Sequence, residues 1–188
     1  MNKNFFYVDT FDFSRESSGN GGATINNAVI RHLPDKACFI GYTSDDDVPG
    51  KLTTKTLFGR TIDVLPVANF SKSGAAKRSL MPGAIRFFRY LQRSRKAWNA
   101  LGIRKVFTGN YIVLWYFAFL TDYQIAYYAT GLGNPWLIGR HPWAGKYFSK
   151  LYDFIQSRAL RRAQITWAAD SPETCAEWNR IAARHGTK

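Results

Sequence analysis

The sequence predicts an α/β protein with a doubly wound, mainly parallel sheet flanked by helices. Three observations predict it. Short apolar runs of strand type alternate along the chain with longer runs of helical period. Most of the strand runs are apolar on both faces, as a parallel sheet covered by helices requires. A glycine-rich segment, Ser17-Ser18-Gly19-Asn20-Gly21-Gly22, joins the first strand run to the first helical run.

Taken in order, strands are expected near Phe5–Thr10, Ala37–Thr43, Thr61–Val67, Lys105–Thr108, Gln124–Ala129 and Gln164–Ala168. Helices fit at Ala23–Leu33, Pro82–Leu101, Tyr111–Leu120, Trp143–Ala163 and Pro172–His185. Thr43 to Arg60 is polar, carries Asp45-Asp46-Asp47 and the turn Pro49-Gly50, and reads as a loop in which Leu52–Phe58 forms a hairpin. Ala68 to Ser79 is small, basic and glycine-containing, and reads as a second loop. Ser171 and Pro172 suit the start of the last helix and Gly186 its end, so that element reads as complete. The 188 residues suit a single domain.

The formal net charge is +13, and it is unevenly spread. From Val64 to Thr121 there is no Asp or Glu, while ten Lys and Arg fall inside that stretch. Such a surface attracts anions: nucleic acid, anionic lipid headgroups or phosphorylated substrates. Arg86, Arg89, Arg93 and Lys96 recur at helical spacing opposite Ala84, Phe87, Phe88, Leu91 and Trp98, which makes a basic amphipathic helix suited to a membrane surface or a polyanion; an ordinary solvated face is the bland alternative.

Cys38 and Cys175 show neither Cys-x-x-Cys nor zinc spacing, so burial in a reducing compartment is expected. Asn2, Lys3 and Asn4 lead straight into a strand, without the pattern of a signal peptide. The longest apolar run, Tyr111 to Leu120, is shorter than the roughly 20 residues a membrane span needs. A soluble or peripheral protein is expected.

The segment ending in Asn20, Gly21 and Gly22 has phosphate-binding geometry: glycines permit close backbone approach, and the helix N-terminus offers unpaired N–H groups to an anion. It lacks the Lys-Ser/Thr ending of a P-loop and the spacing of the dinucleotide fingerprint. Gly109-Asn110-Tyr111 and the segment holding Gly131, Gly133 and Asn134 each follow a strand, at the edge where open α/β sheets place ligands. Arg140 suits a phosphate partner and His141 a proton donor or acceptor near neutral pH; packing or capping is the usual role of a lone histidine. The acidic triplet reads as solvated, and no metal is expected. Neither a Gly-x-Ser-x-Gly elbow nor a His-Glu-x-x-His helix occurs, which argues against hydrolase chemistry.

In order and spacing these pieces resemble the N-terminal half of a GT-B glycosyltransferase of the retaining, family 4 type. The resemblance is carried by Gly21-Gly22 opening the first helix, Asn110 after the Lys105–Thr108 strand and Thr130-Gly131 after the next. The helix ending in Arg161-Arg162-Ala163 and the segment Gln164 to Ser171 complete it. Pro34-Asp35-Lys36 stands where the family has Gly-His, and Thr130-Gly131 where it has His-Gly. The family's paired donor-site glutamates belong to a C-terminal domain, and only Glu16, Glu173 and Glu177 occur here.

The resemblance implies one Rossmann-like domain over residues 1–188, the acceptor-binding half of a sugar transferase without its nucleotide-sugar half. It implies a nucleotide-sugar donor shared with that missing domain, a glycan or lipid-linked acceptor, no required metal, and a peripheral place on the cytoplasmic face of the cell membrane. Asn20, Gly21 and Gly22 would approach the donor diphosphate. Asn110, Tyr111, Gly131, Gly133, Asn134, Arg140 and His141 would line the acceptor cleft. Arg86, Arg89, Arg93 and Lys96 would meet the membrane. A nucleotide-binding Rossmann enzyme and a nucleic-acid-binding module are the rival readings; on the favoured one nucleic acid is not a partner.

Overall fold

The strand runs Phe6-Tyr7-Val8 and Ala37 to Thr43 have no polar face, and both are buried on both sides. The computed structural model describes residues 3–16, 21–44, 46–69, 83–129 and 142–168 together with Pro172, Cys175, Ala176 and Asn179, and these last four are helical. The strands are β1 (Phe5–Asp12), β2 (Ala37–Thr43), β3 (Thr53–Leu57), β4 (Arg60–Asn69), β5 (Lys105–Thr108), β6 (Gln124–Ala129) and β7 (Ile165–Ala168). The helices are α1 (Gly21–His32), α2 (Gly83–Arg93), α3 (Arg95–Asn99), α4 (Tyr111–Leu120) and α5 (Pro142–Leu160). Strand order is β3-β4-β2-β1-β5-β6-β7. Pairing is parallel between β1 and β2, β2 and β4, and β6 and β7, and antiparallel between β3 and β4. This is an α/β fold with a mostly parallel sheet flanked by helices, compatible with a Rossmann-like arrangement.

The chain divides into two compact units, Met1–Val106 and Phe107–Lys188. In the first, Tyr7 meets Phe39 and Phe13 edge to face at 5.7 and 6.2 Å, and Phe13 lies 5.3 Å from Phe39. Gly41 is the residue that makes room: a Cβ there would stand 2.5 Å from the Phe13 ring and 2.8 Å from the Asp9 carbonyl oxygen. At the edge, β3 and β4 join through Phe58 and Gly59, both with positive φ, as a two-residue hairpin turn requires. Phe58 accepts this conformation while its N–H donates to Glu16 Oε1 at 2.6 Å and the Arg31 guanidinium stands 4.4 Å over its ring.

Two expectations are corrected in this unit. The helix expected over Pro82–Leu101 is kinked at the buried Ser94 into α2 and α3. The Ser94 N–H donates to the Tyr90 carbonyl and its own carbonyl accepts from the Ala97 and Trp98 N–H groups, which holds the turn between the two helices. The turn carries Trp98 into the core, where its Nε1 donates to the Leu91 carbonyl at 3.2 Å. Ala68 and Asn69, expected in a loop, continue β4 in register with Tyr42 and Thr43.

In the second unit α4 is apolar nearly all round, and Ile112, Val113, Leu114, Tyr116, Phe117 and Ala118 are buried. It packs on α5 through aromatic edges: Tyr152 lies 5.6 Å from Tyr111 and 5.3 Å from Trp115. Trp115 Nε1 donates to Gln156 Oε1 at 2.7 Å, and Arg162 Nη1 to the Ala118 carbonyl at 2.8 Å.

Burial pushes the Cys38 thiol up from its ordinary 9.0 to about 12, with Asp63 adding to the shift and Lys3 opposing it. Burial, then Tyr90, raises Tyr42 from 10.0 to about 12 against the pull of Arg86; burial also raises Tyr152. These groups hold their protons in the folded chain at pH values where the unfolded chain releases them, so stability falls as pH rises. Urea midpoints should be steady up to about pH 8 and drop progressively between about pH 9 and 12. A midpoint that holds steady through pH 11 would contradict these shifts.

Candidate functional site

The glycine-rich segment after β1 ends in α1, which begins at Gly21, two residues before the expected start. Gly21 and Gly22 therefore form the first turn, whose N–H groups have no partner within the helix. No acidic residue lies in that turn, so its partial positive charge is not offset from within the helix. Asn20 lies outside the described residues.

A polar cluster that sequence reasoning missed ties α1 to β1. The Tyr7 hydroxyl donates to Oδ1 of the buried Asn26 at 2.7 Å and stands 3.4 Å from Asp9 Oδ2. Asp9 is half-buried and follows the apolar run Phe6-Tyr7-Val8. A carboxylate at the end of such a run is the signal that could have found it. Together these residues set α1 against β1 and leave a carboxylate on β1 beyond its apolar run.

Asn110 is the N-cap of α4, with φ −97° and ψ 121°; its Oδ1 accepts from the Ile112 N–H at 3.0 Å. Its own N–H donates to Thr108 Oγ1 at 3.0 Å. Tyr111 packs edge to face on Trp115 at 5.3 Å. Gly109 is required by close approach, since a Cβ there would stand 2.5 Å from the Tyr128 ring. Each residue of this motif thus has a structural task. Asn110→Ala should lower unfolding free energy by about 1 kcal/mol, whereas Asn110→Asp should keep the cap. Equal losses in both variants, read by urea denaturation, would remove the cap from the account.

Gly131, Gly133, Asn134, Arg140 and His141 lie outside the described residues. Arg89, Arg93 and Lys96 are exposed, but Arg86, expected on the same stripe, is half-buried. Arg86 follows Ile85, which is exposed instead, because Phe87 and Leu91 set which face of α2 turns inward. Arg93 and Lys96 border a cavity. Asp45 lies outside the described residues, while Asp47 pairs with Lys55 at 2.8 Å and its carbonyl accepts from Asn69 Nδ2 at 2.8 Å. Among the described residues no cluster of three metal-ligating side chains is found, and no helix is long and apolar enough to cross a membrane.

Comparison with family models, with curated proteins and with solved structures gives no match. The described strands and helices place the chain in the α/β class.

Proposed function

We propose that this chain is the acceptor-binding half of a retaining GT-B-type glycosyltransferase, which transfers a sugar from a nucleotide-sugar to a glycan or lipid-linked acceptor without a required metal. The observation that carries the reading is the passage from a buried parallel strand, β1, into α1 through Gly21 and Gly22 in its acid-free first turn. Backbone N–H groups at such a terminus are suited to a diphosphate and to charge developing on it as a leaving group. Asn110 and Tyr111 follow β5 at the end where ligands of open α/β sheets bind. The second domain would supply the remaining contacts to the donor.

The chain would act at the inner face of the cell membrane. Two surfaces support this. On α2 and α3, Arg89, Arg93, Arg95 and Lys96 are exposed together with Ile85. On α5, Tyr147, Phe148, Leu151 and Phe154 are exposed, with the Arg158 guanidinium 4.8 Å over the Phe154 ring. Cations beside exposed aromatic and aliphatic side chains suit shallow binding to anionic lipid.

The test is an incubation of the chain with labelled nucleotide-sugars and a panel of glycan and lipid-linked acceptors. Saturation-transfer NMR should detect acceptor binding, and the chain alone should transfer no sugar. Turnover by this chain alone, or failure to bind any acceptor, counts against the half-enzyme reading.

A further inference from the structure

Beyond that reading, we propose that the first unit carries a separate binding site for a phosphate monoester, in the cavity between the end of β4 and the α2–α3 kink. The cavity is about 480 Å³ and is lined by Gly50, Val67, Asn69, Tyr90, Arg93 and Lys96, with Ser94 and Ala97 completing the kink side. Its walls are fixed. Gly50, at φ +82°, donates its N–H to the Pro66 carbonyl at 2.7 Å and would place a Cβ 3.6 Å from that of Ala97. Asn69 is buried, and its Nδ2 donates to the Ser44 and Asp47 carbonyls at 2.6 and 2.8 Å, which ties the preceding loop to the end of β4.

Charge and shape name the ligand class. Arg93 and Lys96 stand one turn apart across the kink, both exposed, and neither forms an ion pair among the described residues. No described residue of the wall is acidic. A phosphate monoester carries close to two negative charges at neutral pH and accepts the forked hydrogen bonds of a guanidinium beside the point charge of an ammonium. The volume exceeds what a bare phosphate fills, and Val67, Ala97 and the Tyr90 ring offer apolar surface to a body of sugar size. With both Nδ2 hydrogens of Asn69 engaged, its Oδ1 is the acceptor left for a ligand hydroxyl. The monoester can belong to a free phosphorylated sugar or to a lipid headgroup such as phosphatidic acid.

The experiment is an amide NMR titration of the chain with glucose 6-phosphate, with inorganic phosphate as the smaller probe. Shifts are expected at Gly50, Val67 to Asn69 and Tyr90 to Ala97, with glucose 6-phosphate binding more tightly than phosphate. Arg93→Gln combined with Lys96→Gln should weaken binding about tenfold or more, while Lys36→Gln, an exposed cation elsewhere, should not. Ala97→Leu keeps every charge and fills the cavity, so it should also abolish binding. Thermal melts verify that each variant is folded, and the exposed glutamine pair tests the site even if Ala97→Leu is not. In a second arm, competition with glucose 6-phosphate by vesicles containing phosphatidic acid, beyond that of phosphatidylglycerol vesicles of matched surface charge, identifies the headgroup as a source; equal competition by the two, or none, leaves the free monoester. Millimolar glucose 6-phosphate that shifts none of these amides overturns the proposal, as does binding that survives the filled cavity. Neither outcome touches the glycosyltransferase reading, which rests on α1 and α4.

Discussion

Reversing Arg89, Arg93 and Lys96 to glutamate should weaken binding to anionic vesicles at low salt by roughly three to four orders of magnitude, since each basic residue near such a surface contributes about 1 kcal/mol and reversal replaces attraction with repulsion. All three side chains are exposed, so the fold should survive and the melting temperature should change little. Arg86 is left in place because it is half-buried and its loss would mix a packing effect with the electrostatic one. Phosphatidylglycerol vesicles are the suitable target, with binding read by co-sedimentation across a salt series, because attraction of this kind fades as the Debye length shortens. Unchanged binding by the triple variant would move the membrane contact away from α2 and α3. Wild-type chain that ignores the vesicles yet binds single-stranded RNA tightly would favour the nucleic-acid reading.

The second large effect is on stability. Trp98→Ala should lower unfolding free energy by about 3–5 kcal/mol, a large fraction of what a domain of this size has in reserve. Trp98 is fully enclosed, and the kink at Ser94 exists in a form that delivers it to the core. Truncation would leave a ring-sized void and strip the Leu91 carbonyl of its indole donor. Trp98→Phe keeps most of the volume and loses the hydrogen bond, so a loss of about 1 kcal/mol from the bond is expected with a smaller packing term. Urea denaturation of the three proteins separates these contributions. Equal stability of Trp98→Ala and wild type would show that the kink has no such role.

Much of the fold was legible because local pattern and burial agree. The apolar runs Ala37–Thr43, Lys105–Thr108 and Gln124–Ala129 coincide with β2, β5 and β6, and Tyr111–Leu120 with α4, since each is bounded by polar, glycine or capping residues. β1 runs on to Asp12, past the expected Thr10, because a register irregularity after Val8 carries polar residues along the strand. The α2–α3 kink was hidden because helical spacing persists through Ser94 while only tertiary packing of Trp98 chooses the turn. Arg86 was misplaced for a related reason: a stripe at three- and four-residue steps leaves its outermost members undecided until the buried pair Phe87 and Leu91 fixes the rotation.

The candidate site was legible only in part. Gly21, Gly22 and Asn110 announce themselves as turn and cap residues, and they are found at helix starts. Asp9 and Asn26 were not, because their partnership through the Tyr7 hydroxyl spans 19 residues and no local spacing encodes it. The cavity at Arg93 and Lys96 escaped for the same reason: its walls come from the Pro49-Gly50 turn, the end of β4 and the α2–α3 kink, which only the folded chain assembles.

The most direct measurement of the central claim is an amide NMR titration of the chain with UDP-glucose, set against the same titration of Gly22→Val. The account predicts weak shifts centred on Gly21 and Gly22 and the first turn of α1, lost in the variant while its melting temperature stays close to wild type, because the added side chain blocks backbone approach to the diphosphate. Absence of shifts at Gly21 and Gly22 with millimolar UDP-glucose, or shifts there that persist unchanged in Gly22→Val, would contradict it.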